Sequence, residues 1–262
     1  MQNYNTIKTE LFSTGILQIT LHRPDKLNAL NHELLQELHQ VIVQAKTDEK
    51  IKALLITGEG SKAFCAGADI GGLADLTAQE GMQFAKYGQM VFRALETLGK
   101  TSLAAVNGYA FGGGCELAMA ATMRIASANA QFGQPEVKLG IIPGYGGTQR
   151  LARLVGKGRA LDLCMTARSI KAEEALAWGL ISEIVAAENL LTRAQEILQN
   201  ILAMAPLAIS SVMQVIDQGY DLTLEDALHL EAVHFGLLCA TEDKKIGATA
   251  FLEKKKAAFI GK

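Results

Sequence analysis

The stretch Asn107-Gly108-Tyr109-Ala110-Phe111-Gly112-Gly113-Gly114-Cys115-Glu116 joins two unlike pieces of chain, and its reading decides the fold. Before it, Leu103 to Val106 is a short, wholly apolar run, the pattern of a strand buried on both faces. After it, Cys115 to Ala121 is apolar everywhere except at Glu116, which predicts a buried helix. Three successive glycines between them allow unusual dihedrals and close backbone approach. The stretch therefore reads as a strand-to-helix turn.

The same alternation recurs outward from it. Gly15 to Leu21 is β-rich and is broken by His22-Arg23-Pro24-Asp25. Asn31 suits the N-cap of a helix in which Leu34, Leu35, Leu38, Val41, Ile42 and Ala45 recur at helical spacing. Ile51 to Thr57 reads as a buried parallel strand ending at Gly58-Glu59-Gly60. A loop over Ser61 to Gly72, a helix over Thr77 to Leu98 and a strand over Met123 to Ala126 complete the pattern. Strands alternating with helices predict an α/β fold with crossover helices. Beyond Gly147 the patterns are mostly helical, including Asn189 to Ala203, Pro206 to Gln218 and Thr223 to Leu238. The expected division is a core over residues 1–195 and a helical region over 196–262, approximate because no clean linker separates them.

Bulk properties exclude several classes. A chain of 262 residues, 49% hydrophobic and 20% charged, buries a sizeable core and lies far from the composition of disorder. Its formal charge of −2 offers no broad positive field, and the one basic run, Lys254-Lys255-Lys256, is short. Nucleic acid and membrane are not expected partners. Four cysteines, widely spaced, form neither a disulfide framework nor a CxxC zinc site, and Met1 to Glu10 lacks an apolar targeting core. With no apolar run near the length of a membrane span, a cytoplasmic protein is expected.

Two readings of the glycine turn stand side by side. Free N–H groups at the start of the following helix sit at its positive end and can stabilise a developing anion. A tight turn with no ligand explains the glycines equally well. Glu116 admits two readings also: a functional carboxylate in apolar surroundings, or a first-turn acid complementing the helix dipole. Glu136, in Phe132-Gly133-Gln134-Pro135-Glu136, would by itself be a solvated loop residue. Taken together, two acids flanked by apolar sequence suit general acid–base work, because apolar surroundings lift a carboxyl pKa toward neutrality. Gly144-Tyr145-Gly146-Gly147 lacks the third glycine of a dinucleotide fingerprint, and neither a P-loop nor a GxSxG nucleophile motif occurs. The five histidines show no metal-binding spacing.

Five blocks in order carry a resemblance to the crotonase, or enoyl-CoA hydratase/isomerase, superfamily. They are Arg-Pro-Asp-Lys-Leu-Asn-Ala-Leu (23–30), Phe-Cys-Ala-Gly-Ala-Asp-Ile (64–70), the 107–116 stretch, Phe-Gly-Gln-Pro-Glu (132–136) and Ile-Pro-Gly-Tyr-Gly-Gly-Thr-Gln-Arg (142–150). The resemblance implies a spiral of ββα units with a C-terminal helical trimerisation region, assembled as a trimer or hexamer. It implies an oxyanion hole from the amides of Ala68 and Gly113, with Glu116 activating water for attack at C3 and Glu136 protonating C2. Ala66, Asp69, Ile70, Gly112 and Pro135 would line the substrate path, Gly144 would lie beside the water, and Lys254 would reach coenzyme A phosphates, from a neighbouring subunit if not its own. The implied activity is hydration of trans-2-enoyl-CoA, in fatty acid β-oxidation or short-chain acyl-CoA metabolism. No cofactor or metal is implied, since the coenzyme A thioester is the substrate. An enoyl-CoA isomerase, a methylglutaconyl-CoA-type hydratase and a non-catalytic RNA-linked relative are the alternatives; the paired acids favour hydration and the acidic balance disfavours RNA. His22 and Tyr145 depart from the family pattern, and Tyr145 bears on the width of the acyl pocket.

Overall fold

A computed structural model of the chain describes residues 4–71 and 73–262; Gly72, the end of the expected 61–72 loop, and the first three residues of the N-terminal segment lie outside these. In chain order the elements are β1 (Ile7–Leu11), β2 (Ile16–Leu21), α1 (His32–Thr47), β3 (Ala53–Gly58), β4 (Ala63–Cys65), α2 (Ala78–Glu96), β5 (Thr101–Val106), β6 (Tyr109–Phe111) and α3 (Gly113–Ala120). There follow β7 (Met123–Ser127), β8 (Gln131–Gly133), α4 (Gly147–Val155), α5 (Lys157–Thr166), β9 (Ser169–Lys171), α6 (Ala172–Ala177), β10 (Ile184–Val185), α7 (Leu190–Leu202), α8 (Pro206–Gly219), α9 (Leu224–Cys239) and α10 (Glu242–Leu252).

The strands form two sheets, ordered β1-β2-β3-β5-β7-β10 and β4-β6-β8-β9. Within the larger sheet only β1 and β2 pair antiparallel, and within the smaller only β8 and β9. Each turn of the spiral places one strand in the large sheet, one in the small sheet and then a helix: β3-β4-α2, β5-β6-α3 and β7-β8-α4.

The continuous apolar runs of β3 and β5 follow from burial on both faces. Leu54, Ile56, Ala104 and Val106 join the main core, whereas Ala53, Leu55, Leu103 and Ala105 pack under Leu190, Ala194 and Leu198 of α7. The expected cap at Asn31 forms, its side chain accepting from the Leu34 N–H at 2.9 Å; Thr77, expected as the first residue of a helix, is instead the N-cap of α2 and forms a capping box with Glu80. The expected loop over residues 61–72 is corrected in part, because it contains β4. The glycine stretch likewise contains β6. Strands of three residues are too short for alternation to register.

The C-terminal helices differ from the rest. α8 and α9 pack against each other, yet neither has a buried residue, and Ile216, Phe235, Leu237 and Phe251 stand exposed. The tail is fastened by Asp243, whose carboxylate accepts from the N–H groups of Ile260 and Gly261 at 2.7 and 2.9 Å. Among the described residues no single helix is long and apolar enough to cross a membrane.

Candidate active site

The 23–30 block builds a platform for the segment after β4. Leu27 and Asn28 turn through the left-handed region, at φ 50° and 57°, and buried Asn28 donates from Nδ2 to the carbonyls of Glu59 and Ala63 at 3.0 and 2.9 Å. Leu30 then donates to the Gly67 carbonyl and accepts from the Asp69 N–H, both at 2.8 Å, forming a bridge with Ala68. Arg23 completes it, donating to Ala29 O at 2.6 Å and to Asp69 Oδ2 at 2.9 Å. This partner holds the Asp69 carboxyl below its ordinary range. Held so, the Ala68 N–H has no acceptor among the described residues.

Opposite it begins α3. Gly112, at φ 49°, leaves β6 in a conformation that side chains resist, and a Cβ there would lie 2.5 Å from Glu136 Oε1. Gly114 is required by packing, since its Cβ would stand 2.0 Å from the Cys65 carbonyl oxygen. Between them Gly113 opens the helix with an N–H that finds no acceptor among the described residues. A Cβ on Gly113 would lie 3.3 Å from the Ala68 nitrogen, so the two free amides are close neighbours.

Glu116 is one turn further along α3 and 1% exposed. Its Oε1 accepts from the N–H groups of Tyr145 at 2.8 Å and Gly147 at 2.6 Å. Desolvation outweighs these two bonds and pushes its pKa up to about 7, with the Glu136 charge adding to the rise. The 142–150 block supplies the donors. Arg150 donates to the Tyr145 carbonyl at 2.7 Å and holds Glu96 bidentately at 2.6 and 2.9 Å, fixing the loop from behind. A side chain on Gly147 would crowd Glu116 Oε1 at 2.9 Å.

Glu136 starts a short 3-10 turn behind Pro135, and burial pushes it also up to about 7. The end of the Gln134 carboxamide, fully buried, lies 3.1 and 3.2 Å from the two Glu136 carboxyl oxygens, within hydrogen-bond reach. Glu116 thus has two fixed backbone donors favouring its ionised form, whereas Glu136 has the Gln134 carboxamide as its neighbour.

Both acids face a cavity of about 630 Å³. Its lining brings together Ala66, Ala68, Asp69, Ile70, Gly112, Gly113, Glu116, Pro135, Glu136 and Gly144, from four distant blocks. Lys254 is exposed beyond α10 and is not part of this lining. Four roles had no signal in the sequence: those of the Gln134 carboxamide, of the Tyr145 and Gly147 amides on Glu116, and of Phe84 of α2, which lines the cavity beside Tyr145. The contacts of Arg150 were equally hidden, although it lies within the 142–150 block.

Fold and site together define a crotonase-fold protein, a ββα spiral with paired acids facing two free amides. The chain belongs to the enoyl-CoA hydratase/isomerase family: the model of that family, "Enoyl-CoA hydratase/isomerase", matches residues 12–262. It is 48% identical over 238 residues to a short-chain-enoyl-CoA hydratase of Clostridium acetobutylicum, covering 91% of each chain. A crotonyl-CoA hydratase of Syntrophomonas wolfei is also 48% identical, over 92% of this chain and 93% of that one. The crystal structure of an enoyl-CoA hydratase from Bacillus anthracis superposes with a TM-score of 0.94 at 34% identity, covering 98% of this chain and 100% of the other.

Proposed function

We propose that this protein is an enoyl-CoA hydratase acting on short trans-2-enoyl-CoA thioesters, adding water reversibly and syn to give the 3-hydroxyacyl-CoA. The observation that carries this is the pair of carboxyls, both lifted to about 7, in one cavity with two unpartnered amides. An acid near neutral pKa can take or give a proton at little cost, as addition of water requires.

In this reading the thioester oxygen lies between the N–H groups of Ala68 and Gly113. Glu116, its carboxylate favoured by the Tyr145 and Gly147 amides, accepts a proton from water as the oxygen bonds to C3. Charge moves to the thioester oxygen as an enolate, and removing one such donor typically costs about 3–4 kcal/mol of transition-state stabilisation. Protonated Glu136 then gives its proton to C2. The cycle leaves Glu116 protonated and Glu136 ionised, and the next water passes the proton back. Ala66, Asp69, Ile70, Gly112, Pro135 and Gly144 shape the path of the substrate in this reading, Asp69 through its tie to Arg23.

We infer a trimer or hexamer as the working assembly, because α8 and α9 have no buried residue and leave Val212, Ile216, Leu228, Phe235 and Leu237 exposed, apolar surface that a partner subunit would cover. Lys254, exposed and outside the cavity lining, would reach coenzyme A phosphates from a neighbouring subunit of that assembly in this reading. Loss of the conjugated-thioester absorbance of crotonyl-CoA tests the hydratase reading directly. Double-bond migration in a 3-enoyl-CoA without water addition would replace it with an isomerase.

A further inference from the structure

We propose that Phe84 and Tyr145 form an aromatic partition that closes the acyl end of the cavity and restricts the enzyme to short chains. This rests on the hydratase reading above and names the device that sets its substrate range.

The two rings line the active-site cavity, and the same two rings line a second hollow of about 410 Å³ between α1 and α2. That hollow is otherwise bounded by His32, Leu35, Glu80, Gln83 and Tyr87. The rings meet at a centroid distance of 5.3 Å, tilted by 36°, so a single wall of two side chains separates the spaces. The wall stands at the acyl end by connectivity. The Tyr145 ring edge is 3.2 Å from the Cβ position of Gly113, and the Tyr145 N–H holds Glu116. A chain continuing beyond C3 passes Glu116 and meets that ring.

Packing holds the ring there. A Cβ on Gly88 of α2 would lie 2.2 Å from Tyr145 Cδ1, so the helix is notched where the ring enters. Phe92 supports it edge-on at 5.6 Å. The Tyr145 hydroxyl is buried and has no hydrogen-bond partner among the described residues. The ring's area, then, is what the site uses, and the hydroxyl is dispensable to the wall.

The test compares kcat/KM for crotonyl-, trans-2-hexenoyl- and trans-2-octenoyl-CoA across variants checked for unchanged circular dichroism and oligomeric state. The parent should turn over octenoyl-CoA far less well than crotonyl-CoA. Tyr145→Ala and Phe84→Ala should each raise the octenoyl-to-crotonyl ratio at least about tenfold, since a hydrophobic pocket discriminates by roughly 10–200-fold per methylene. Tyr145→Phe should keep the parent ratio. Adding Gln83→Trp to Tyr145→Ala, which plugs the second hollow, should reverse the gain. Phe84 is 38% exposed, so its truncation tests the wall even if the Tyr145 variant fails to fold. A parent equally good on octenoyl-CoA, folded variants with the parent ratio, or a gain that survives Gln83→Trp would each overturn the partition while leaving the hydratase reading intact. A parent that hydrates none of the three would overturn both.

Discussion

Replacing Glu116 by Gln should trade activity for stability, with a pH signature that follows from its burial. The change is nearly isosteric, and the carboxamide oxygen can still accept from the Tyr145 and Gly147 amides. What disappears is the ionised carboxylate in a site 1% exposed. Its folded pKa, about 7, lies above the ordinary 4.5, so the folded state holds the proton more tightly than the unfolded state does. Stability from that proton is fully present below pH 4.5 and is lost as pH rises through 7. Once the group is ionised the loss is about 3 kcal/mol, at 1.36 kcal/mol per pH unit of displacement. Glu116→Gln should therefore match the parent at pH 4, gain stability between pH 4.5 and 7, and hold a constant gain of about 1–3 kcal/mol above that. Urea midpoints measured from pH 4 to 9 read this directly. Hydration of crotonyl-CoA should fall by roughly 10² or more, with thioester binding nearly unchanged. A stability difference that does not vary with pH would mean that Glu116 is not desolvated as described, and near-parental turnover would remove it from the proton transfer.

Further outcomes can be checked on the same material. Because hydration needs one acid ionised and the other protonated, kcat/KM should fall on both sides of neutral pH, and Glu136→Gln should lose roughly 10² in rate; a profile flat from pH 5 to 9 would contradict the paired-acid scheme. Gly113→Pro deletes an amide at the first helical position, where proline is otherwise tolerated, so a variant of unchanged circular dichroism and oligomeric state should lose about 10²–10³ in kcat. Light scattering should show a trimer or hexamer, and a stable, active 28.0 kDa monomer at micromolar concentration would refute the assembly. Gly147→Ala should lower kcat by crowding Glu116, with the fold retained; unchanged turnover would show that the loop yields without cost.

Much of this protein is decided by local sequence. The apolar runs of β3 and β5, the N-caps at Asn31 and Thr77 and the helical periodicity of α1 state their own conformation, since each signal spans a whole element and needs no distant partner. The five blocks also mark which residues gather at the cavity: ten of the eleven singled out beforehand line it, and Lys254 does not. The small sheet was illegible, because β4, β6, β8 and β9 are three residues each and exist only by pairing with one another. The chemical character of the site was likewise hidden. Glu136 reads alone as a solvated loop acid, and only its place beside Gln134 and Gly112 makes it a half-buried one. The donors on Glu116 come from residues 29 and 31 positions away, and the notch at Gly88 matters only because the Tyr145 ring arrives from another turn of the spiral. Sequence determines what each segment forms by its own propensity and burial pattern; desolvation, hydrogen-bond partners and the volume left for substrate are sums over segments far apart in the chain, and only the tertiary structure decides them.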